Sequence, residues 1–565
     1  SKRSMSEDKR VLLPTSVKPK VYNLTLAPDF EKFVFDGQVD IQITVAEETD
    51  KISLHSLEIT HNEVTLCGAS GELKAEDIST NKEDQTATFT FDKKLEKGDY
   101  TLKINYQGIL NDQMAGFYRS KYTDESGKEK WMGTTQFEPT DARKAFPCWD
   151  EPAIKAKFIV NIKTPVGYDA LSNMPSSSVD KHDDGSRTFH FEETPLMSTY
   201  LLAFVVGEFE CVEGTTTHGV KFRVWTPKGR KEEGRFALDV GMKILDYYED
   251  WFDVKYPLPK QDMIAIADFA AGAMENWGLI TYRETALLID PKSATVTSKQ
   301  RVAYVVAHEL AHQWFGNLVT MQWWTDLWLN EGFATFVGNQ AVDHLFPQWK
   351  VWTSFVSDYV FRAQGLDSMR SSHPIEVEIN RSQEVDEIFD AISYCKGASV
   401  IRMIAALVGE QAFRDGLRAY LKKFAYGNTV TKDLWEALSK SSGKPVGKIM
   451  ANWTQAKGFP VVMVKSLGKG KFNVSQRRFL SAGMPTAEED KITWCINLSV
   501  KTDKGDKSIE LYDREAEIDL GEVSWVKFNV GQTGFFRVQY DAETTKLVSK
   551  ALEAMQLEPV DRLGI

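Results

Sequence analysis

Residues 301–336 read RVAYVVAHELAHQWFGNLVTMQWWTDLWLNEGFATF, and this stretch decides the fold around it. Within it, His308 and His312 flank Glu309, and Glu331 follows near the end. On an α-helix, side chains four residues apart project from one face, so both imidazoles can reach the same ion. Glu309 would lie about 100° round the helix from His308, close to that ion without competing for it. The spacing therefore predicts two metal ligands with a carboxylate beside them that can act as a base.

Two imidazole ligands and one carboxylate are typical of catalytic zinc, because structural zinc sites fill all four positions. We predict Glu331 as the third ligand, delivered by a second helix, with the fourth position open. The alternative is that His308 and His312 are packed core histidines whose spacing is a coincidence. Only nine histidines occur in the chain, so this arrangement around a glutamate favours the metal site.

Local signals predict that both motif segments are helical. Thr297 and Gln300 have the spacing of a capping box, and Gly316 offers a C-terminal stop, so the first helix contains both histidines. A second segment with helical periodicity runs from residue 327 to about residue 346. Glu331 then lies on the first turns of that second helix.

The chain has 565 residues, of which 42% are hydrophobic and 26% charged, and its net charge is −12. This length predicts three or four domains, and the composition is typical of a soluble globular protein. An acidic chain without a run of lysines or arginines argues against a nucleic-acid partner. The longest apolar run, residues 200–206, is too short to span a membrane, so we expect no membrane partner.

The cysteines and the N-terminus predict a cytoplasmic protein. The five cysteines are scattered without a C-x-x-C pair, which favours neither a disulfide framework nor a thiolate zinc site. The first ten residues, SKRSMSEDKR, are charged and lack the apolar core of a signal peptide. Both features favour a reducing compartment. We expect the native chain to begin at Met5.

Hydrophobic periodicity divides the chain into four regions of an α+β multidomain protein. Alternating strands predict an antiparallel β domain over residues 1–209, and helical periodicity predicts a mainly helical domain over residues 210–458. Strand patterns return over residues 459–542 and predict a small β-sandwich, and residues 543–565 begin with a helix that leads into further structure. Within the second region we predict strands at 264–266 and 279–282 and further helices at 236–252, 347–364, 384–392, 397–409, 410–424 and 431–441.

Two further motifs lie outside the histidine stretch. Residues 136–143, QFEPTDAR, belong to a stretch rich in prolines and charges, which predicts a shaped loop rather than a strand. Residues 272–276, GAMEN, lie between the two strands predicted in the second region. Small residues at that point let the backbone approach a ligand closely.

Together, HELAH with Glu331, GAMEN and QFEPTDAR resemble the M1 family of zinc aminopeptidases, which are gluzincins, and among them the puromycin-sensitive aminopeptidase group. The likeness runs through nearly the whole chain. It implies an N-terminal β domain, a thermolysin-like catalytic domain, a small β-sandwich and a C-terminal helical domain. The sequence stops near the start of that last domain, so we expect a shortened chain on which the helical domain would normally pack.

The resemblance implies roles for residues outside the zinc motif. Glu138 and Glu275 would bind the free α-amine of a peptide, and Tyr394 would stabilise the oxyanion of the transition state. The alternative for each glutamate is a structural ion pair with Arg143 or Arg283. The other substrate-binding residues that the motifs imply are Gln136, Gly272, Ala273, Met274 and Asn276. By the same resemblance, Gln136, Met274 and Phe389 would line the pocket for the side chain of the first residue of the substrate.

The implied activity is the hydrolysis of single N-terminal residues from peptides with a free N-terminus, with one zinc ion per chain and Glu309 acting on the attacking water. Two alternatives remain open. A leukotriene A4 hydrolase-like epoxide hydrolase shares the zinc core, but that branch has a glutamine where this chain has Glu138. A catalytically inactive scaffold of the same fold would have lost zinc ligands that are intact in this sequence.

Overall fold

The computed structural model describes residues 10–565, so the expected start at Met5 lies outside the described residues. Strands dominate residues 17–227. In the strand Val34–Val45, buried apolar side chains alternate with exposed polar ones, which is the pattern of a sheet with one face in the core. The strands are Val17–Asp29 (β1), Val34–Val45 (β2), Thr49–His55 (β3), Ile59–Gly68 (β4), Gly71–Lys74 (β5), Asp77–Asn81 (β6), Thr86–Leu95 (β7), Gly98–Ile109 (β8), Gly116–Thr123 (β9), Glu129–Gln136 (β10), Lys157–Thr164 (β11), Asp169–Ser172 (β12), Ser176–Lys181 (β13), Arg187–Phe191 (β14), Phe204–Gly207 (β15), Phe209–Thr215 (β16) and Lys221–Pro227 (β17).

These strands form three sheets and contribute to a fourth. The largest has eight strands in the order β13-β14-β11-β1-β2-β8-β4-β5, and two smaller sheets have the orders β12-β15-β10-β9 and β3-β7-β6. The prediction of a purely antiparallel domain is wrong at one place, because β1 and β11 pair in parallel. The reason is topological: β11 returns to β1 after a long excursion through other strands rather than through a hairpin.

A five-stranded sheet opens the second region, in the order β16-β17-β18-β20-β19. Its strands β17, β18 and β20 are parallel to one another, whereas the short strand β19 runs antiparallel to β20. Both strands predicted there from the sequence are confirmed. The remaining strands of the region are Lys260–Ile266 (β18), Ala273–Met274 (β19), Leu279–Arg283 (β20), Thr320–Met321 (β21) and Asn428–Thr429 (β22).

Helices pack beside this sheet and carry both halves of the histidine stretch. Two of the predicted helices are not continuous α-helices. The helix predicted at 347–364 contains a π-helical turn at Val356–Val360, and the one predicted at 384–392 is a 3₁₀ helix, Ser382–Ile388, that ends before residue 389. The helix at residues 446–455 was not predicted. The α-helices are Arg235–Phe252 (α1), Val296–His312 (α2), Trp328–Leu345 (α3), Val351–Phe355 (α4), Phe361–Asp367 (α5), Gly397–Val408 (α6), Glu410–Phe424 (α7), Thr431–Ser442 (α8), Val446–Gln455 (α9), Ala542–Glu553 (α10) and Pro559–Leu563 (α11).

The ends of α2 differ from those predicted. The capping box uses Thr295 and Ser298 rather than Thr297 and Gln300, because the Thr295 hydroxyl accepts a hydrogen bond from the Ser298 backbone N–H at 3.1 Å. The helix stops at His312 and does not run on to Gly316, whose N–H instead donates to the carbonyl of residue 319 at 2.8 Å. The metal motif therefore occupies the last turn of the helix.

Helices α2 and α3 pack closely at the motif. A Cβ atom added at Gly338 of α3 would lie 3.2 Å from the backbone nitrogen of His308 in α2, tighter than an ordinary contact, so the missing side chain helps the helices to approach closely. The predicted second helix is confirmed, and Glu331 lies on its first turn. The two motif segments are thus held against each other at the C-terminal end of one helix and the N-terminal end of the next.

Residues 460–540 form two facing sheets, with the orders β27-β24-β23-β29 and β26-β25-β28. The rings of Phe472 and Phe528, one from each sheet, lie 5.8 Å apart between centroids. The limits of the four domains stay a prediction. The strands of this region are Pro460–Gly468 (β23), Lys471–Arg478 (β24), Ile496–Thr502 (β25), Gly505–Leu511 (β26), Glu515–Asp519 (β27), Val526–Phe528 (β28) and Arg537–Tyr540 (β29).

Two chain-wide features were also predicted from composition. All five cysteines are free, as expected from their scattered positions. Within residues 10–565, no single helix is long and apolar enough to cross a membrane. One pair, Ser382–Ile388 with Ile392–Val408, reaches the length and composition of a span only when taken together, and the two helices meet at 69°.

Candidate active site

Three buried side chains converge where α2 meets α3. The Nε2 atoms of His308 and His312 are 3.1 Å apart, and they lie 3.4 and 3.5 Å from one carboxylate oxygen of Glu331. Ligand atoms about 2.0–2.1 Å from a zinc ion in a tetrahedron lie roughly 3.3–3.4 Å from one another. The three atoms therefore have the spacing of one face of a zinc tetrahedron, and the group can hold a metal ion.

The other nitrogen of each ring has its own partner, which orients the ring. His312 Nδ1 lies 2.9 Å from the carbonyl oxygen of Phe315, an atom that can only accept, so Nδ1 carries the proton and Nε2 presents its lone pair. His308 Nδ1 lies 3.3 Å from the hydroxyl of Tyr304. Burial would lower the pKa of His312, but the Glu275 and Glu331 carboxylates outweigh burial and raise it well above its usual value. A cation between the two Nε2 atoms and the Glu331 carboxylate is stabilised in the same way, so the donor set fits zinc.

Additional carboxylates surround this triad. One carboxylate oxygen each of Glu138, Glu275 and Glu331 lie within 4.8 Å of one another. Within the same limit, Glu275, Glu309 and a ring nitrogen of His312 form a second group. Glu138 comes from the loop after β10, Glu275 follows β19, and Glu309 belongs to α2. Three separate motifs of the sequence therefore meet at one point, as their shared resemblance implies.

Each acid of this cluster has one carboxylate oxygen without a hydrogen bond. Glu138, Glu275, Glu309 and Glu331 each have a buried carboxylate oxygen that makes no hydrogen bond within residues 10–565. A buried polar group without a partner is costly, and native proteins seldom tolerate one without a ligand or water. Four such oxygens around one point indicate a site built to receive something that brings positive charge or hydrogen-bond donors.

The structural ion pairs considered for Glu138 and Glu275 do not form. Arg143 is fully buried and donates from Nε to Asp150 at 2.9 Å, and another of its nitrogens donates to Gln85 at 2.9 Å. Arg283 donates only to backbone carbonyls, those of residues 269 and 270. Neither arginine neutralises a glutamate of the cluster, so that alternative is wrong.

Burial and mutual repulsion shape the charges of the cluster. Burial raises the pKa of Glu138 and Glu309 well above the usual range, and the neighbouring Glu275 carboxylate raises both further. Glu331 is the exception: burial alone would raise its pKa, but the facing histidines outweigh burial and lower it to about 2. The metal-ligand position is thus the most acidic of the four, which suits a carboxylate that must bind an ion in its charged form.

Polar side chains at the end of α2 hold the GAMEN segment in place. The amides of Gln313 and Asn317, both fully buried, donate to the backbone carbonyl of Glu275 at 3.2 and 2.9 Å. Asn276 donates to the Thr281 hydroxyl at 3.0 Å and so braces β19 against β20. The backbone of Glu275 is thereby fixed relative to the helix that carries the histidines.

Tyr394 lies on a π-helical turn, Ile392–Lys396, directly before α6. Such turns are frequent at functional sites. Its ring is nearly parallel to that of His308, with 6.2 Å between centroids. Burial, together with the surrounding carboxylates, raises the pKa of the phenol well above its usual value, so Tyr394 stays a proton-carrying donor. The phenol therefore faces the same space as the triad.

A cavity of about 510 Å³ opens above these groups. Most of the predicted site residues line it, including Phe389; Gly272 and Asn276 do not. Sequence reasoning missed Met114, which comes from a distant loop without any motif, and Asp386, which is only eight positions before Tyr394. The predicted residues that line the cavity are Gln136, Glu138, Ala273, Met274, Glu275, His308, Glu309, His312, Glu331, Phe389 and Tyr394.

Comparison with known proteins agrees with this geometry. The model of the peptidase M1 N-terminal domain matches residues 18–201, and that of the peptidase family M1 domain matches residues 236–453. Aminopeptidase M1 of Arabidopsis thaliana is 46% identical over 98% of this chain and 64% of its own length. Puromycin-sensitive aminopeptidase of Caenorhabditis elegans is 44% identical over 98% of the chain and 59% of its own length.

A third relative, named aminopeptidase 2, mitochondrial, of Saccharomyces cerevisiae, is 44% identical over 98% of this chain and 58% of its own length. The chain thus spans about three fifths of the length of these relatives. The two matched domains cover both halves of the site, with QFEPTDAR in the first and GAMEN, HELAH and Tyr394 in the second. On the shared motifs, the matched domains and the identity along its length, this chain belongs to peptidase family M1.

Proposed function

We propose that this protein is a zinc aminopeptidase that hydrolyses the first peptide bond of peptides with a free N-terminus. One observation carries the proposal: the unpartnered carboxylate oxygens of Glu138 and Glu275 lie beside a three-ligand metal group in one cavity. Relatives named aminopeptidases support it. We assign one zinc ion to His308, His312 and Glu331.

The two glutamates suit the charge of a peptide N-terminus. An α-amine has a pKa of about 8 and is largely cationic near neutral pH. At a separation of about 4 Å and an effective dielectric constant of about 20, one carboxylate attracts such a cation by up to about 4 kcal/mol before desolvation costs. Among residues 10–565, neither Glu138 nor Glu275 forms an ion pair with a lysine or arginine, and the Nδ1 of His312, 3.7 Å from Glu275, is hydrogen-bonded to Phe315, so this attraction is available to the substrate.

The short distance between these acids and the triad limits where cleavage occurs. An oxygen of Glu138 and one of Glu275 lie within 4.8 Å of an oxygen of Glu331. A chain end held by the acids can place only its first carbonyl near the metal ligands. Internal peptide bonds have no cation at the matching position, so the geometry favours removal of one residue at a time.

The chain's own groups supply the proton transfers. A zinc ion, when bound, polarises the scissile carbonyl and lowers the pKa of water. Glu309 takes a proton from the attacking water and delivers it to the leaving amide nitrogen. Tyr394 donates a hydrogen bond to the developing oxyanion. Glu138 and Glu275 keep the substrate in register throughout.

The partners that we propose are therefore peptides with a free N-terminus. Five free cysteines support a reducing compartment, and we propose the cytoplasm. The inactive scaffold and the epoxide hydrolase are not favoured, since ligands, base, phenol and Glu138 are all present and line one cavity.

A metal-exchange assay tests the proposal. The purified chain is stripped of metal with a chelator, reloaded with zinc, and mixed with a short peptide whose products are followed by mass spectrometry. We expect hydrolysis to disappear on stripping and to return with about one zinc per chain, releasing single amino acids. Release of internal fragments, or hydrolysis that does not depend on metal, would contradict the assignment.

A further inference from the structure

An ion pair between His373 and Asp390 lies next to the π-helical turn that carries Tyr394. His373 Nε2 is 2.6 Å from one carboxylate oxygen of Asp390. The other oxygen of Asp390 accepts hydrogen bonds from the backbone N–H groups of Ile392 and Ser393, at 2.9 and 3.2 Å. The backbone carbonyl of Asp390 accepts the N–H of Tyr394 at 3.1 Å. Asp390 thus contacts three consecutive residues of the turn, the last of which is Tyr394.

The ring of His373 is bound to acceptors on both sides. Its Nδ1 lies 2.7 Å from the carbonyl oxygen of Pro374, and its Nε2 faces the Asp390 carboxylate. A carbonyl and a carboxylate both only accept, so the ring satisfies both contacts only when both nitrogens carry protons. The geometry therefore holds an imidazolium at this position, and the hydrogen bond to Asp390, against the effect of burial, raises the pKa of His373.

The segment that carries His373 is itself anchored. The Ser372 hydroxyl donates to Asp367 at 2.7 Å, and Asp367 is fully buried against Lys396 at 2.8 Å. The N–H of residue 376 donates to the carbonyl of Thr454 at 2.9 Å. His373 thus extends from a fixed support, and its contact with Asp390 can define where the turn lies.

We propose that His373 is a positioning residue that sets the place of the Tyr394 hydroxyl through the carboxylate of Asp390. The inference rests on the proposed function, because it concerns the same reaction. Neither residue lines the cavity. Loss of the His373 contact leaves Asp390 free to rotate away from the N–H groups of Ile392 and Ser393, and the phenol then loses its alignment with the substrate. An error of about 1 Å in such a position can cost roughly 10²-fold in rate.

The proposal has a defined dependence on pH. We call the contact between His373 and Asp390 the clamp. The pKa of His373 is raised above its unfolded value of about 6.5, so the clamp is fully formed below that pH and is lost as pH rises through the folded pKa. The titratable groups that interact with the pair include Asp367 beside His373 and Cys395 beside Asp390, and Asp367 is in turn paired with Lys396. Burial raises the pKa of the Cys395 thiol to about 11, so among these groups the change between pH 6 and pH 9 belongs to His373, whereas the substrate amine, with a pKa of about 8, titrates alike in every variant.

A double-mutant cycle tests the proposal. In the wild-type background, we expect His373→Ala to lower kcat about 10-fold or more while KM changes little. In the Tyr394→Phe background, the same change has no further effect on kcat, because the hydroxyl that it positions is gone. His373→Lys keeps a cation beside Asp390 and recovers part of the lost kcat. A loss of the same size in both backgrounds would show a merely structural role and overturn the proposal.

A matched control comes from another histidine–aspartate pair on the same chain. His218 Nε2 lies 3.0 Å from Asp250, outside the cavity, and His218→Ala should leave kcat and its pH profile unchanged. The decline of kcat with rising pH that belongs to the clamp should be absent from His373→Ala and present in the control. A profile of the same shape in all three proteins would also overturn the proposal.

The failure of this inference and of the proposed function can be told apart. Histidine ring nitrogens labelled with ¹⁵N report the protonation of His373 by nuclear magnetic resonance without any substrate, with the His373→Ala spectrum giving the assignment. A doubly protonated ring at pH 6.5 supports the clamp even in a protein without peptidase activity. A neutral ring at that pH overturns the clamp even in a protein with full activity.

Discussion

Two regions of the protein bury carboxylate oxygens and treat them differently. The Asp262 carboxylate, fully buried on β18, accepts hydrogen bonds from Arg223 at 2.6 and 2.7 Å and from the Lys260 ammonium at 2.8 Å. The carboxylates of Glu138 and Glu275, beside the metal-ligand triad, each keep an oxygen that accepts no hydrogen bond from residues 10–565. The hydrogen bonds of the Asp262 carboxylate are complete within the described chain, whereas those of Glu138 and Glu275 are not.

The protonation of the two regions differs accordingly. Burial alone would raise the pKa of Asp262, but Lys260 and Arg223 outweigh it and lower the pKa below the usual value. Burial raises the pKa of Glu138, and the Glu275 carboxylate raises it further. A buried charge that is neutralised internally supports the fold, whereas one without a partner costs stability and is available to a ligand. Substitutions in the two regions should therefore have opposite effects on stability and activity.

Glu309→Gln has the largest expected effect and separates catalysis from folding. We expect kcat to fall by about 10²–10⁴-fold, because an amide cannot take the proton of the attacking water. The zinc content should stay the same, since Glu309 is outside the triad, and the free energy of unfolding should not fall, since one crowded carboxylate has gone. Steady-state kinetics, zinc analysis and denaturant unfolding check the three parts. If the variant lost its zinc as well as its activity, Glu309 would be a metal ligand rather than the base.

Tyr394→Phe should lower kcat by about 10²–10³-fold, because the oxyanion loses a hydrogen-bond donor. The ring and its packing against His308 remain, so KM, zinc content and thermal stability should change little. Kinetics on the same peptide measure the effect. An unchanged kcat would remove the phenol from the reaction and leave only its contribution to packing.

Glu275→Gln should lower kcat/KM by about 10- to 150-fold, which corresponds to one charge-assisted hydrogen bond of about 1.5–3 kcal/mol to the substrate ammonium. The free energy of unfolding should stay equal or rise, because the site loses an unneutralised charge. Rates at several substrate concentrations and a denaturant curve measure both quantities. A large loss of stability with unchanged kcat/KM would move Glu275 into the same class as Asp262.

Asp262→Asn should have the smallest effect on activity and a large one on stability. It leaves the buried Lys260 ammonium without its counter-charge, which costs about 3–5 kcal/mol. The folded protein should keep its kcat, because Asp262 does not line the cavity. Denaturant unfolding measures the loss of stability, and kinetics under native conditions measure kcat. If activity fell while stability held, the distinction between the two regions would fail.

The sequence was sufficient for the parts of the site that lie on periodic elements. The spacing of His308 and His312 on one helix, and of Glu331 on the first turn of the next, follows from helical geometry. The convergence of Glu138 with Glu275 could be expected only from the family resemblance, because 136 residues, with strands of three different sheets, lie between them in the chain. Their roles in the reaction remain predictions.

Other features had no signal in one sequence. The interruption of residues 347–364 and the π-helical turn at Tyr394 depend on tertiary packing, which overrides helical propensity. The clamp of His373 on Asp390 joins two loops that look unremarkable in the sequence. The capping box was placed two residues late, since Ser298 fulfils at the third helical position the role expected of Gln300.

The most direct test of the central claim compares two peptides that differ only in an acetyl group on the N-terminus. The claim is that Glu138 and Glu275 bind a positive chain end beside the metal ligands. It predicts that kcat/KM for the acetylated peptide is at least about 10²-fold lower, and that Glu275→Gln narrows this ratio by slowing only the free peptide. Equal rates for the two peptides in the wild-type protein would contradict it.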